Sequence, residues 1–145
     1  MSYKALPLYA YRMFVTFTIF SDKNLLQMVS IQTYRKMALS FPEVIELPHF
    51  DRASFRVRKK IFSTILEKDR LVMVKLSLAD QFVFCAIDAA MIYPVPGGWG
   101  KTGATYIDLS LVKLDLLRDA LTRAYCSAAP KKLAGPFELK LNGNE

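Results

Sequence analysis

The chain predicts an α+β fold, a two-layer sandwich in which a mainly antiparallel sheet carries helices on one face. Three observations point to it. Four short stretches rich in β-branched and aromatic residues follow one another between polar turns from Glu43 to Leu76. Stretches with helical spacing of apolar residues stand before and after that block rather than alternating with it. No repeat or linker divides the chain, and 145 residues with 52% hydrophobic content are enough for one domain with a sizeable core.

Ser30–Ser40 predicts the first helix, with Ser30 as N-cap, Ile31, Tyr34 and Ala38 along one stripe, and Pro42 as the stop. Glu43–His49 predicts a strand and Phe50–Ala53 a turn. Ser54-Phe55-Arg56-Val57-Arg58 alternates apolar and basic residues, the period of a half-buried strand. Lys59-Lys60 is expected at the hairpin tip, Ile61–Leu66 as the return strand, Glu67–Arg70 as a second polar turn and Leu71–Leu76 as the next strand.

Ser77 caps a second helix on which Leu78, Phe82, Cys85, Ala86 and Ala89 are expected to face inward. After an irregular Pro/Gly-rich stretch, Thr105–Leu109 predicts a short strand. Lys113–Ala128 predicts a third helix with Leu114, Leu117, Leu121, Ala124 and Tyr125 inward, and Asp115, Arg118, Asp119 and Arg123 on a solvated face. Pro130 and the lysines after it are expected to end the ordered part. The division is then an apolar extension over 1–27, a domain over 28–133 and a flexible tail over 134–145.

The extension is strongly apolar at Ala5–Tyr11 and Phe14–Phe20, but Arg12 interrupts it and Pro7 breaks its first half. It falls short of the roughly 20 apolar residues a membrane helix requires, and no small-x-small cleavage site follows Phe20. No membrane partner is expected. Two readings stay open, an extended arm or a start upstream of a physiological Met28.

The formal net charge of +7 favours polyanionic partners, and an inert basic surface is the plainer alternative. Cys85 and Cys126 are the two cysteines and His49 the single histidine. That inventory predicts neither a metal site nor a cofactor, and it reads as buried, reduced thiols in a cytoplasmic protein.

The stretch Tyr93–Tyr106 concentrates the single Trp, two prolines and four glycines. Its Gly100-Lys101-Thr102 resembles the end of a phosphate-binding loop, but Val95 stands where the first glycine of that motif belongs. Gly97, Gly98, Gly100 and Gly103 are read as meeting backbone needs for positive φ. Trp99 stays open between pinning a long loop and stacking on an unpaired base. Asp115 and Asp119 stand one helical turn apart among arginines and are read as surface charge. His49 has no nucleophile near it in sequence. No catalytic residue is assigned, and the chain is not expected to be an enzyme.

An ordered set of short motifs, Ala38-Leu39-Ser40-Phe41-Pro42-Glu43-Val44, Pro48-His49-Phe50, Ser54-Phe55-Arg56-Val57 with Lys60-Ile61-Phe62, Tyr93-Pro94-Val95-Pro96, Trp99-Gly100-Lys101, Gly103, Thr105-Tyr106 and Ala129-Pro130-Lys131-Lys132, resembles the MmcQ/YjbR family from Ile31 to Leu133. The resemblance implies a CyaY-like (frataxin-like) fold, described as a double wing, and a DNA-binding role. Ala104 departs from it where relatives often carry an aromatic residue. The fold likeness imports no iron binding, because Arg35 and Lys36 occupy the first helix without a carboxylate before Glu43.

The expected function is therefore non-catalytic DNA binding by electrostatic contacts of a basic hairpin. Arg52, Arg56, Arg58, Lys59 and Lys60 form the hairpin set, with Arg56 and Arg58 expected on one strand face. Trp99, Lys101, Lys131 and Lys132 are expected to add contacts. The alternative is a protein- or small-ligand-binding module framed by Tyr93, Trp99 and Tyr106, with no nucleic-acid role. A monomer is expected.

Overall fold

A computed structural model of the chain describes residues 28–143. The N-terminal extension, read as an arm or an upstream start, lies outside the described residues. The elements follow in the order α1 (Ile31–Leu39), β1 (Val44–His49), β2 (Arg52–Val57), β3 (Lys60–Leu66), a 3₁₀ turn (Glu67–Asp69), β4 (Leu71–Lys75), α2 (Leu78–Cys85), β5 (Ile92–Pro94), α3 (Gly98–Lys101), β6 (Ala104–Asp108), α4 (Leu114–Ala128) and α5 (Lys131–Asn142). The six strands form one sheet in the order β1-β2-β3-β4-β6-β5, and every pairing is antiparallel. The expected α+β sandwich and its four-strand meander are both present.

Directly paired residues share a face of the sheet. The row Glu46, Phe55, Ser63, Val74, Thr105 and Pro94 lies on the helix side, and the next row, Leu47, Ser54, Thr64, Met73, Tyr106 and Tyr93, lies on the open side. Tyr34 of α1 packs on Phe55, Gln81 of α2 donates to Thr105 Oγ1, and Tyr125 of α4 meets Phe62, so all three helices cover the same face. Ser54, Thr64 and Met73 are nonetheless buried on the open side. The Arg52 guanidinium interacts with the hydroxyl of Tyr106 three strands away, which draws two long side chains over that row.

A bulge in β3 sets the core. The partner of Phe55 is Ser63 but that of Arg56 is Ile61, leaving Phe62 as the extra residue. Phe62 and Ser63 therefore both reach the helix layer. Phe62 meets Phe41 and Tyr125, while Ser63 Oγ donates to Met73 O at 2.7 Å. With that proton committed, the Tyr34 hydroxyl is the donor in its 2.8 Å bond to Ser63. Tyr125 stacks on Phe41 at 4.7 Å, meets Phe137 edge-on, and donates to Pro42 O at 2.9 Å. Such ring pairs contribute about 0.5–1.5 kcal/mol each beyond area burial.

Several expectations need correction. The hairpin tip is Arg58–Lys59, with φ of 47° and 68°, and Lys60 already pairs with Val57 in β3. Two central residues with positive φ make a type I′-like turn, whose hand suits the twist of the strands. Arg58 thus leaves the strand and does not share the face of Arg56. The turn before β2 is likewise shorter than expected, since Arg52 and Ala53 belong to the strand. On α2 the inward side is Gln81, Val83 and Phe84, while Leu78 and Phe82 are exposed. On α4, Leu114 is exposed and Leu116 and Ala120 are buried, and α5 packs against this helix. Arg123, expected in solvent, meets Asp80 of α2 at 3.4 Å. The expected flexible tail is helix α5, held by Ala134 and by Phe137 against Phe41 and Tyr125 despite Pro136 inside it.

Two measurements follow. Replacing Arg58-Lys59 with Asn-Gly should raise stability by about 1 kcal/mol, read from urea unfolding, because Gly and Asn accept the left-handed backbone more readily. The Arg58–Glu43 ion pair lost with it is exposed and screened by solvent. Burial raises the carboxyl pKa of half-buried Asp119 above its ordinary 3.8, against the partial relief of Arg123. The folded state then holds that proton more tightly, so stability is highest below the unfolded pKa and falls as pH rises through the folded one. Asp119→Asn should therefore stabilise the chain at neutral pH, and its advantage should close on acidification below about pH 3.8.

Candidate functional site

The strand directions collect the charges. The β2–β3 turn, the start of β1, the end of β4 and the start of β6 all lie at one end of the sheet, since Val57 pairs with Val44 and Lys60, and Lys75 with Ala104. Arg58, Lys59, Lys60, Lys75 and Lys101 are exposed there, and Arg56 is half-exposed beside them. The carboxylate paired among them is Glu43, which holds Arg58 at 3.0 Å and raises its guanidinium pKa. The end of α4 comes to the same end through the Tyr125–Pro42 bond, and exposed Lys131 and Lys132 follow it. At the opposite end, Asp51, Glu67, Asp69, Asp88 and Asp108 intermix with Arg52, Lys68 and Arg70.

The structure thus brings together every expected contact cation except Arg52. That residue starts β2 at the far end, bonded to Asp51 at 2.9 Å and engaged with Tyr106, both of which raise its pKa. Arg56 donates to Ser54 Oγ at 2.9 Å on the open face. Lys75 is an addition that sequence reading missed. Its signal was its place at the close of a strand, which points to a site only once the partner strand is known.

Residues Val95–Gly103 form a second projection at the basic end, beyond β6. Two strand spacings, about 10 Å, separate β3 from β6. Gln81, 8% exposed, holds this segment: its amide nitrogen lies 2.9 Å from Gly100 O, 3.1 Å from Ala104 O and 3.1 Å from Thr105 Oγ1. A Cβ on Gly100 would overlap the Val95 carbonyl oxygen, and one on Gly103 would overlap that of Leu76. Gly97 and Gly103 have φ of 90° and 109°, so positive φ explains two of the four glycines and close approach explains Gly100. Trp99 is 70% exposed and does not pin the loop. Gly100-Lys101-Thr102 lies at a single helical turn that leads into an antiparallel strand. This is not the strand, loop and long helix of a phosphate loop.

A model of the YjbR family matches residues 39–127. The chain belongs to the YjbR family. Its fold is similar to that of the Deinococcus radiodurans protein DR2400, assigned to the family-model domain DUF419, with a TM-score of 0.64 over 79% of this chain and 89% of that one at 15% identity. No curated protein matches the sequence. In this YjbR chain, then, the motifs around Phe41-Pro42, Phe55–Phe62 and Trp99–Tyr106 are parts of one sheet end and its supports.

Other chemistry is sparse. Among the described residues no group of three or more His, Cys, Asp or Glu side chains is placed to hold a metal ion. Cys85 and Cys126 are free and half-buried, and desolvation raises both thiols, that of Cys126 to about 11. A cleft of about 640 Å³ opens at the mixed-charge end, lined by Leu47, Pro48, Phe50, Asp51, Arg52 and Lys68. Beside it Phe50 is 93% exposed in a left-handed conformation with φ 56°, a feature that sequence pattern did not single out. Tyr93 and Tyr106 meet on the open face at 5.8 Å. Trp99 belongs to the projection at the basic end, so the expected three-ring cleft is replaced by two separate features.

Gly103→Ala forces a side chain into a left-handed backbone against Leu76 O, and should cost about 1–3 kcal/mol in urea unfolding. Gly98 has open space around its Cα, so Gly98→Ala should be close to neutral in the same assay.

Proposed function

We propose that this YjbR-family chain is a non-catalytic DNA-binding protein that grips the phosphate backbone with the basic end of its sheet. The observation that carries the reading is the cluster of Arg56, Lys59, Lys60, Lys75 and Lys101, exposed or half-exposed at one sheet end, whereas the other end mixes charges of both signs. The β2–β3 turn and the segment Val95–Gly103 project there as two wings, in keeping with the family's double-wing description. Contacts of lysines and arginines to phosphate carry no sequence information, so on this reading binding is governed mainly by charge. Lys131 and Lys132 extend the positive surface along the helix layer. The second reading, a protein- or small-ligand-binding module built on the Trp99 segment, is favoured by the exposure of that ring and predicts binding insensitive to salt.

A fluorescence-anisotropy titration of labelled duplex DNA tests the proposal. About five phosphate contacts give a slope of log K against log salt near −4 to −5. Replacing Arg56, Lys59 and Lys60 together by Ala should flatten that slope by about 3 and weaken binding by an order of magnitude or more at about 50 mM salt. Absence of binding at low salt, or binding indifferent to the triple replacement, would overturn it.

A further inference from the structure

We infer that the second wing is a stacking platform for unpaired bases, so that the chain prefers single-stranded DNA or an open duplex end over a closed duplex. The inference rests on the DNA-binding reading and specifies its ligand.

The motivating fact is an inversion on α2. Apolar Leu78 and Phe82 are 59% and 68% exposed, while polar Gln81 is 8% exposed. A surface helix ordinarily does the opposite. Gln81 is inside because it holds the Gly100 carbonyl, and that bond ties α2 to the residue next to Trp99. Trp99 is itself 70% exposed on the segment so tied, which leaves a large flat ring open to a stacking partner.

The backbone under the indole is fixed although the ring is bare. Trp99 O accepts from Thr102 N at 3.1 Å and from Thr102 Oγ1 at 2.9 Å, and Gly100 is wedged against Val95 O. A ring presented on a rigid backbone loses little freedom when it is covered.

The charge around the ring selects the occupant. Lys101 lies two residues from Trp99, and Lys75 ends the strand paired with Ala104. Asp80, the acid on the same helix, is turned to Arg123 of α4. The fitting partner is therefore flat and apolar on its face and anionic along its edge, which describes a nucleobase on a phosphodiester strand. In a closed duplex the base faces are stacked on one another and unavailable. Phosphate contacts from Lys59 and Lys60, on the far side of β4 at the same sheet end, would hold the same strand.

Trp99 is the single Trp of the chain, so its emission reports on this wing alone. The experiment titrates the full chain with an oligothymidylate and with a duplex whose two ends are closed by non-nucleotide linkers, following Trp emission and anisotropy. The expected result is quenching on the single strand with little change on the duplex. Trp99→Ala should lower single-strand affinity roughly 5- to 150-fold, well beyond any loss on the duplex, and Trp99→Phe should recover much of it. The Trp99→Ala deficit should persist as salt is raised, unlike the loss from the lysine replacements. Single-strand binding with unchanged Trp emission, or an unaltered preference in Trp99→Ala, overturns the stacking platform while duplex binding leaves the DNA reading intact. Failure of both DNA forms to bind at low salt overturns the DNA reading itself and the platform with it.

Discussion

Four parts of the fold converge on Tyr125. Its ring closes the aromatic cluster of Phe41, Phe62 and Phe137, and its hydroxyl donates to Pro42 O. That contact joins the segment after α1, the bulge of β3, the end of α4 and the docking of α5. It also places Glu43 where it can receive Arg58. The basic turn thus lies next to the chain segment that Tyr125 anchors, joined to it by an exposed and therefore weak ion pair. A buried hydroxyl must keep a partner, so Tyr125 specifies geometry as well as filling space.

The sheet was legible from sequence because its signals were local: β-branched and aromatic runs, alternating charge, and polar turns at regular intervals. The misplacements have physical causes. The β2–β3 turn was shifted by one residue because Arg58 and Lys59 carry none of the usual preference for left-handed backbone. The face of α2 was inverted because Gln81 is paired by acceptors from a segment about twenty residues away, which no periodicity records. The last helix was missed because Gly135 and Pro136 argue against one, and Phe137 docking on Phe41 and Tyr125 outweighs them. Arg123 looked solvated until the fold brought Asp80 of α2 to it, and Asp119 is desolvated beside it. At the site, most of the cations were legible as a run in the hairpin, whereas Lys75 and the far position of Arg52 required the strand pairing.

The α2 inversion shows how a local rule can be broken consistently. Burying an amide is costly unless its hydrogen bonds are met, and Gln81 has two carbonyls and a hydroxyl within 3.1 Å. That satisfaction lets the helix turn its polar residue inward and leaves Leu78 and Phe82 outside. Departures from patterning that are locally compensated are where binding surfaces are expected. The glycines at 100 and 103 are of the same kind, residues required by a close approach of backbone to backbone in the service of one projecting turn.

The separation of charge along the strands has a consequence before any contact forms. A chain with a run of largely unpaired cations at one sheet end and mixed charges of both signs at the other carries an electric dipole roughly parallel to the sheet. In the field of an extended polyanion such a body experiences a torque, so rotational search narrows during approach and encounters are biased toward end-on collisions. The bias operates within a screening length of about 10 Å at 0.1 M salt and lengthens as salt falls. Orientation on arrival is thus encoded in the strand order itself, independently of the residues that finally touch.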